Sequence, residues 1–224
     1  MVPLHARKMN VQLEWTGKMT IIDVTLDITD PRGTFPGDPV ASIIHDRQIL
    51  KGDQFNTSLI TCSSHAGTHI DVPFHLINDG AQLSSITLDK MCGYVYVAEI
   101  GSGGPISAET LEESHIDVSA SKILIKSYKD PTDFFALDDQ YLTQSGADWM
   151  ITRGITLIGV EPITIESLSN SDFVVHRSLL KNNILIIEGL TLTQVDAGWY
   201  MLYCLPLKLG NTDGAPVRAV LISD

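Results

Sequence analysis

Apolar residues occur along this chain in short runs, most of them bounded by Gly, Pro, Asn or Asp. Runs of four to nine residues that are rich in Val, Ile, Leu and aromatic side chains predict β-strands. The predicted strands cover residues 20–28, 55–61, 68–75, 94–100, 122–128, 155–160, 184–190, 199–205 and 216–222. The first half of the chain is therefore predicted to be mostly β.

Longer segments with apolar residues at helical spacing lie between the later strands, and they predict helices over residues 107–113, 138–153 and 171–182. The first follows Pro105 and begins with Ser107, a residue type suited to helix capping, and the second ends at Gly154. Alternating strands and helices predict a mixed α/β fold, with a mixed sheet or barrel and helices packed outside it.

The bulk composition is that of one globular domain with a real core. The chain has 224 residues, of which 44% are hydrophobic and 19% charged, and it contains no repeat or linker. We expect a single domain over residues 19–224, preceded by a possible N-terminal extension over residues 1–18 that lacks the apolar stretch of a signal peptide. Because no apolar run reaches the roughly 18 residues that span a bilayer, we expect no membrane partner.

Charge and cysteine usage limit the partners and the compartment. A net charge of −12 disfavours binding to a phosphate backbone, so we expect no nucleic-acid partner. Cys62, Cys92 and Cys204 show no paired C-x-x-C spacing. This pattern predicts buried free thiols in a reducing compartment, and hence a cytoplasmic location.

Histidines cluster in residues 65–75, which hold three of the seven in the chain where an even distribution would place roughly a third of one. In an extended strand alternate side chains share a face, so His69, Asp71 and His75 would lie together, opposite the apolar Ile70. Two imidazoles and a carboxylate on one face are ligands that divalent cations favour. The cluster therefore predicts a metal site.

Two further residues shape this prediction. Gly67 permits a tight turn with positive φ, which could fold His65 back beside His69. Pro73 cannot donate to a sheet ladder, so the strand either lies at an edge or ends early. The alternatives are solvated polar residues or a structural metal; structural sites usually use cysteines, and Cys62 is the nearest one.

A second pair of candidate ligands comes later in the chain. His176 lies in the last predicted helix, and Glu188 lies in the next strand, whose apolar residues on both faces are typical of a buried strand. A buried glutamate must be paired, protonated or bound to a metal. The alternative for Glu188 is a salt bridge to Arg218 or Lys208, and Glu161, at the end of another apolar strand, is interpreted as structural or supporting.

The cluster matches the pattern H-x-G-T-H-x-D-x-P-x-H at seven positions, which are His65, Gly67, Thr68, His69, Asp71, Pro73 and His75. In this it resembles the cyclase-like metal-dependent hydrolase family, which includes bacterial kynurenine formamidase and isatin hydrolase. The similarity extends to residues 35–39, which resemble a W-P-G-D segment, and to residues 176–180, 187–190, 205–207 and 213–218.

The resemblance implies a β-barrel-like mixed sheet flanked by helices, assembled as a homodimer or homotetramer. It also implies one or two divalent ions, zinc or manganese. His65, His69 and Asp71 would hold one ion, Asp71, His176 and Glu188 would hold a second, and His75 would be the catalytic acid/base. Phe35 stands where the family pattern has tryptophan, at a position that would contact an aromatic substrate.

These expectations predict an arylformamidase-like enzyme that cleaves an amide or cyclic amide of a small substrate. Water activated on the metal would attack the carbonyl, and His75 would transfer protons. A serine nucleophile is not expected, because no G-x-S-x-G segment occurs. The alternatives are a lactam hydrolase similar to isatin hydrolase, or a non-catalytic metal- or ligand-binding protein on the same fold.

Overall fold

A computed structural model describes residues 19–101, 104–127 and 140–223, so the expected extension over residues 1–18 lies outside the described residues. The strands are β1 (Thr20–Asp23), β2 (Ser42–Arg47), β3 (Thr57–Thr61), β4 (His69–Asp71), β5 (Cys92–Glu99), β6 (Lys122–Lys126), β7 (Leu157–Val160), β8 (Leu185–Glu188), β9 (Gly198–Pro206) and β10 (Gly214–Ser223). The α-helices are α1 (Ala108–Glu113), α2 (Gln144–Thr152) and α3 (Val174–Lys181).

Seven of the strands close into a barrel in the order β10, β4, β8, β7, β6, β5 and β9, because β9 pairs with both β5 and β10. Strands β5 to β8 are parallel and are connected through the three helices, whereas β4, β9 and β10 pair antiparallel with their neighbours. Strand β1 pairs with the end of β10. This architecture confirms the predicted mixed α/β fold with a barrel-like sheet flanked by helices.

The barrel wall separates two apolar layers. Along β6 and β8, Leu124 and Ile187 belong to the cluster inside the barrel, whereas their neighbours Ile123 and Ile186 belong to the cluster under the helices. All four side chains are fully buried. The apolar residues on both faces of β8 therefore indicate a buried strand, as predicted, because β8 is covered on both sides.

The helices begin where polar groups satisfy their first amides. Helix α1 has Ser107 as its cap, as predicted, with the side chain accepting a hydrogen bond from Thr110 N. Helix α2 begins at Gln144, later than predicted, because Thr143 caps it and the preceding Leu142 is extended in a bridge to Ile106. The start of that prediction, residues 138–139, lies outside the described residues.

Two strand predictions need correction, and one strand was not predicted. The strand predicted over residues 68–75 ends at Asp71, because Pro73 opens a 3₁₀ turn (Pro73–His75), so strict alternation does not extend to His75. Its early end was expected, but the edge alternative is wrong, since β4 lies between β10 and β8. Strand β1, predicted over residues 20–28, also stops early, at Asp23. Strand β2 was not predicted, because polar residues directly follow its short Ile43-Ile44 run.

Strands β2 and β3 form a separate two-stranded hairpin. Every residue in both strands is exposed, including four large apolar ones: Ile43 (47%), Ile44 (57%), Leu59 (58%) and Ile60 (57%). Ile43 pairs with Ile60 and Ile44 with Leu59. The hairpin thus presents apolar pairs to solvent from a strand pair that nothing in the described chain covers.

All three cysteines are free, as expected, but only Cys204 is buried; Cys62 and Cys92 are half-buried, so the expectation of burial is wrong for them. None of the helices in the described part of the chain has the length and apolar character required to cross a bilayer.

Candidate metal centre

The candidate centre lies on the outer face of the barrel wall, where β4 meets β8. Their antiparallel register pairs His69 with Glu188 and Ile70 with Ile187. Because Ile70 and Ile187 belong to the interior cluster, the alternate residues His69, Asp71 and Glu188 face outward. Helix α3 packs against β8 on that side and supplies His176.

The two ligand-bearing segments approach each other through glycines. Gly67 and Gly189 both have positive φ, of +62° and +70°. A Cβ on Gly189 would lie 2.8 Å from the carbonyl oxygen of Gly67, closer than real Cβ contacts allow. Thr68 reinforces this contact, because its hydroxyl donates to the carbonyl of Gly189 at 2.6 Å. The main chain therefore sets the spacing between His69 and Glu188.

Asp71 is the centre of the cluster. Its side chain is fully buried, and neither carboxylate oxygen accepts a hydrogen bond from any described residue. The nearest groups are imidazole nitrogens: His65 Nδ1 lies 2.9 Å from Oδ1, and His69 Nε2 lies 3.6 Å from the same oxygen. Burying a carboxylate without hydrogen bonds is costly unless a cation compensates, so this orphaned group fits a metal site.

Each of three histidines uses one ring nitrogen to contact a group outside the centre. His65 Nε2 lies 2.8 Å from Asp213, His69 Nδ1 lies 3.0 Å from the carbonyl of Gly67, and His176 Nδ1 lies 2.8 Å from Glu166. Histidines that bind metals almost always engage their second nitrogen in this way, which fixes the ring and its tautomer.

The other ring nitrogens point inward, toward the two carboxylates. His69 Nε2 and His176 Nε2 lie 3.1 Å from opposite oxygens of Glu188, and His176 Nε2 is 3.9 Å from Asp71. The Glu188 oxygen near His176 also accepts the amide of Ile165 at 2.6 Å. Imidazole nitrogens and carboxylate oxygens that converge in this way are a donor set for a borderline divalent cation such as zinc.

Electrostatics favour charged groups throughout the cluster. Burial would lower the pKa of His65, but the charge of Asp71 and the hydrogen bond to Asp213 raise that pKa to about 10. Burial likewise opposes protonation of His176, while Glu188 and Glu166 raise its pKa to about 10. Burial raises the pKa of Asp71, yet the histidines hold it well below its usual range. These shifts arise from the negative charge of the buried carboxylates, which a bound cation would also neutralise.

His75 stands beside these ligands at the edge of a cavity of about 320 Å³. Its ring centroid lies 4.2 Å from that of His65, and its Nδ1 lies 3.6 Å from Asp213. The cavity walls include Phe35 and Phe173. This volume is at the lower end of the range for small-molecule sites, and the aromatic walls suit a flat, apolar ligand.

Two overlapping groups of side chains could each hold an ion. One consists of His65, Asp71 and His75, the other of His69, Asp71 and Glu188, and within each group the ligand atoms lie within 4.8 Å of one another. Asp71 belongs to both, as a bridging carboxylate would. The grouping differs from the implied one, because His75 takes the place of His69 in the first group and His69 takes the place of His176 in the second. The assignment of residues to individual ions therefore stays a prediction.

The structure brings together all six polar residues that the sequence singled out, and Phe35 with them. It also shows contacts that the sequence reasoning missed, from Glu166 and Phe173. Glu166 follows the buried Ile165, so an acid in apolar surroundings was the available signal, as for Glu188. Arg218 pairs with Asp23 instead, so the alternative of a Glu188–Arg218 salt bridge is wrong.

Glu161 lies outside the centre. One of its carboxylate oxygens accepts the amide of Ser127 and the other accepts the amide of Leu192, each at 2.8 Å. The structural alternative for this residue is therefore confirmed.

Comparison with known proteins places this centre in a family. Residues 19–167 match the Cyclase family, described as "Putative cyclase". A kynurenine formamidase of Bacillus cereus is 30% identical over 89% of this chain and 96% of its own length, and one of Erythrobacter litoralis is 29% identical over 92% and 95%.

Solved structures agree with the fold. A structure described as a potential metal-dependent hydrolase with cyclase activity is 26% identical, with a TM-score of 0.79 over 92% of this chain and 99% of that chain. Isatin hydrolase A of Labrenzia aggregata, at 21% identity and a TM-score of 0.77 over 91% and 93%, shares the fold. The fold and the site define a metal-dependent hydrolase. The chain belongs to the cyclase family.

Proposed function

We propose that this protein hydrolyses a small aryl formamide. It is a metal-dependent amide hydrolase that acts on carbon–nitrogen bonds other than peptide bonds, as the kynurenine formamidase relatives do. The observation that carries the proposal is the buried, unbonded carboxylate of Asp71, toward which the inward nitrogens of three histidines are directed. Phe35 and Phe173 would contact the aromatic ring of the substrate.

The residues that fit a divalent cation are His65, His69, Asp71, His176 and Glu188. When bound, such a cation supplies Lewis acidity and a water acidic enough to react near neutral pH. His75 borders the cavity and is placed to accept a proton from water or to donate one to the leaving nitrogen, a role for which imidazole is the side chain used most often. Asp213, near Nδ1 of His75, would keep the Nε2 atom of that ring directed at the substrate.

The identity and number of the ions belong to the proposal. A mixed set of nitrogen and oxygen donors suits zinc or manganese. Asp71 takes part in both possible groups, which supports two ions that share this carboxylate.

The proposed assembly is a homodimer or homotetramer in which a second copy covers the β2–β3 hairpin. An isolated two-stranded hairpin is marginally stable in water, and exposed apolar clusters mark interfaces. Light scattering should give a mass at least twice that of one chain for the wild type. It should give a smaller mass for Ile60→Lys, and a monomeric wild type would refute the assembly. The cytoplasmic location stays a prediction.

The test of function combines metal analysis with two substrates. Purified protein should contain a divalent metal, hydrolyse N-formylkynurenine faster than isatin, lose activity on chelation and regain it with added Zn²⁺ or Mn²⁺. Faster turnover of isatin would favour the lactam hydrolase instead. A protein that binds metal but hydrolyses neither substrate would restore the non-catalytic alternative, which the formamidase relatives do not favour.

A further inference from the structure

Helix α3 begins without a cap of its own. Its N-cap residue, Phe173, has a left-handed backbone (φ 51°, ψ 45°) and makes no side-chain capping bond. The first amides of a helix have no partner within it, so they need one elsewhere. Here the amides of Val175 and His176 donate to the carboxylate of Glu166, each at 3.2 Å. Glu166 lies seven residues before the cap residue.

The same carboxylate also holds the ring of His176. Glu166 Oε2 lies 2.8 Å from His176 Nδ1, and since an ionised carboxylate only accepts hydrogen bonds, that nitrogen carries a proton. The remaining nitrogen, Nε2, is thereby directed at Glu188 and Asp71. Asn170 donates to the other oxygen of Glu166 at 2.5 Å, so both oxygens are engaged.

The three candidate histidine ligands differ in their outer partners. His69 is held by a backbone carbonyl, and His65 by Asp213, whose side chain is 36% exposed. Glu166 is 3% exposed. A buried charged acceptor increases the basicity of the imidazole more than a neutral or solvated one, because little water screens it.

We propose that Glu166 is a positioning residue for the cation position formed by Asp71, His176 and Glu188. It fixes the ring orientation and tautomer of His176, and it couples that ligand to the start of α3. Occupancy of this position depends on Glu166, whereas occupancy of the position near His65 does not. The inference rests on the two-ion site of the proposed function.

The test measures metal stoichiometry and stepwise affinity, by competition of Zn²⁺ with a chelator, for wild type and Glu166→Gln. Glutamine keeps the shape and an oxygen for the amides but removes the charge. We expect two ions in the wild type. In Glu166→Gln one affinity should fall by roughly 10–100-fold while the other is unchanged. Glu166→Asp, which keeps the charge on a shorter side chain, should show a smaller loss.

Thr143→Ala is the matched control, because Thr143 caps α2 by accepting from Gly146 and does not line the cavity. It should lower the melting temperature of the metal-free protein and leave both affinities unchanged. Wild-type affinities in Glu166→Gln, equal losses at both positions, an equal loss in Thr143→Ala, or a wild type that takes up one ion at saturation would each overturn the proposal. None of these measurements requires turnover, so a failure of the proposed function, which is tested by substrate hydrolysis, can be distinguished from a failure of this inference.

Discussion

Two short antiparallel strand pairs in this protein have opposite surroundings. In β4–β8, the polar pair His69–Glu188 lies next to the apolar pair Ile70–Ile187, and all four side chains are buried. In β2–β3, the apolar pairs Ile43–Ile60 and Ile44–Leu59 are exposed on both faces.

Burial gives the polar pair its chemical significance, because water cannot satisfy or screen the groups. Exposure makes the apolar pairs significant for association, because nothing in the described chain covers them. The first strand pair is therefore the place for a reactive centre, and the second is the place for an association surface. Substitutions in the two pairs should have correspondingly different consequences.

The largest expected effect follows from Asp71→Ala. Because Asp71 is the carboxylate common to both candidate groups, the variant should lose bound metal at both positions. Loss of several kcal/mol of charge stabilisation corresponds to about 10³-fold or more in kcat/KM. Metal analysis and formamidase kinetics measure this, with Asp148→Ala on the exposed side of α2 as the control. Wild-type metal content in Asp71→Ala would remove this residue from the centre.

His75→Ala should separate chemistry from metal binding. The variant should keep its metal, while kcat falls by about 10²–10⁴-fold, the usual contribution of general acid/base catalysis. Single-substrate kinetics on metal-replete protein provide the measurement. Normal turnover in that protein would exclude His75 from the mechanism.

Replacing one isoleucine by alanine in each strand pair compares how much the two pairs contribute to the free energy of unfolding. Ile187→Ala should cost about 2–5 kcal/mol, because the side chain is fully buried inside the barrel. Ile60→Ala in dilute, monomeric protein should stay within about 0.5 kcal/mol, because its side chain is exposed there. Urea unfolding monitored by circular dichroism gives both values, and equal costs would contradict the description of the hairpin.

The smallest expected effect concerns the thiols. Burial raises the pKa of Cys204 well above its usual range, and the nearby Cys92 raises it further, so this thiol should stay protonated and unreactive in the folded protein. Cys62, which follows the hairpin, is half-buried and should react with a thiol reagent. Counting modified cysteines by mass before and after unfolding tests this, and rapid labelling of native Cys204 would contradict it.

Most strands and helices of the fold, and most residues of the candidate metal centre, could be predicted from the sequence. Long apolar runs such as that of β8 were recognisable because burial on both faces leaves few polar residues. The spacing of His65, His69 and Asp71 was informative because ligands close in sequence need little tertiary context. His75 was predicted by an alternation that ends at Asp71, yet the 3₁₀ turn after Pro73 brings it back to the same cavity.

What the sequence did not reveal depends on long-range contacts. Strand β2 has a short apolar run and is defined by its pairing with β3, which no local pattern records. Glu166 lies ten positions before His176, and the segment between them includes the left-handed Phe173, so helical periodicity does not relate the two. Such contacts become visible only when the chain is folded.

The contact between Gly67 and Gly189 bears on any attempt to redesign this centre. Since a Cβ on Gly189 would lie 2.8 Å from the carbonyl oxygen of Gly67, even one added methyl group would force apart the strands that carry His69 and Glu188. Selectivity for a larger or smaller ion is therefore better altered by exchanging the ligands themselves, while both glycines are kept.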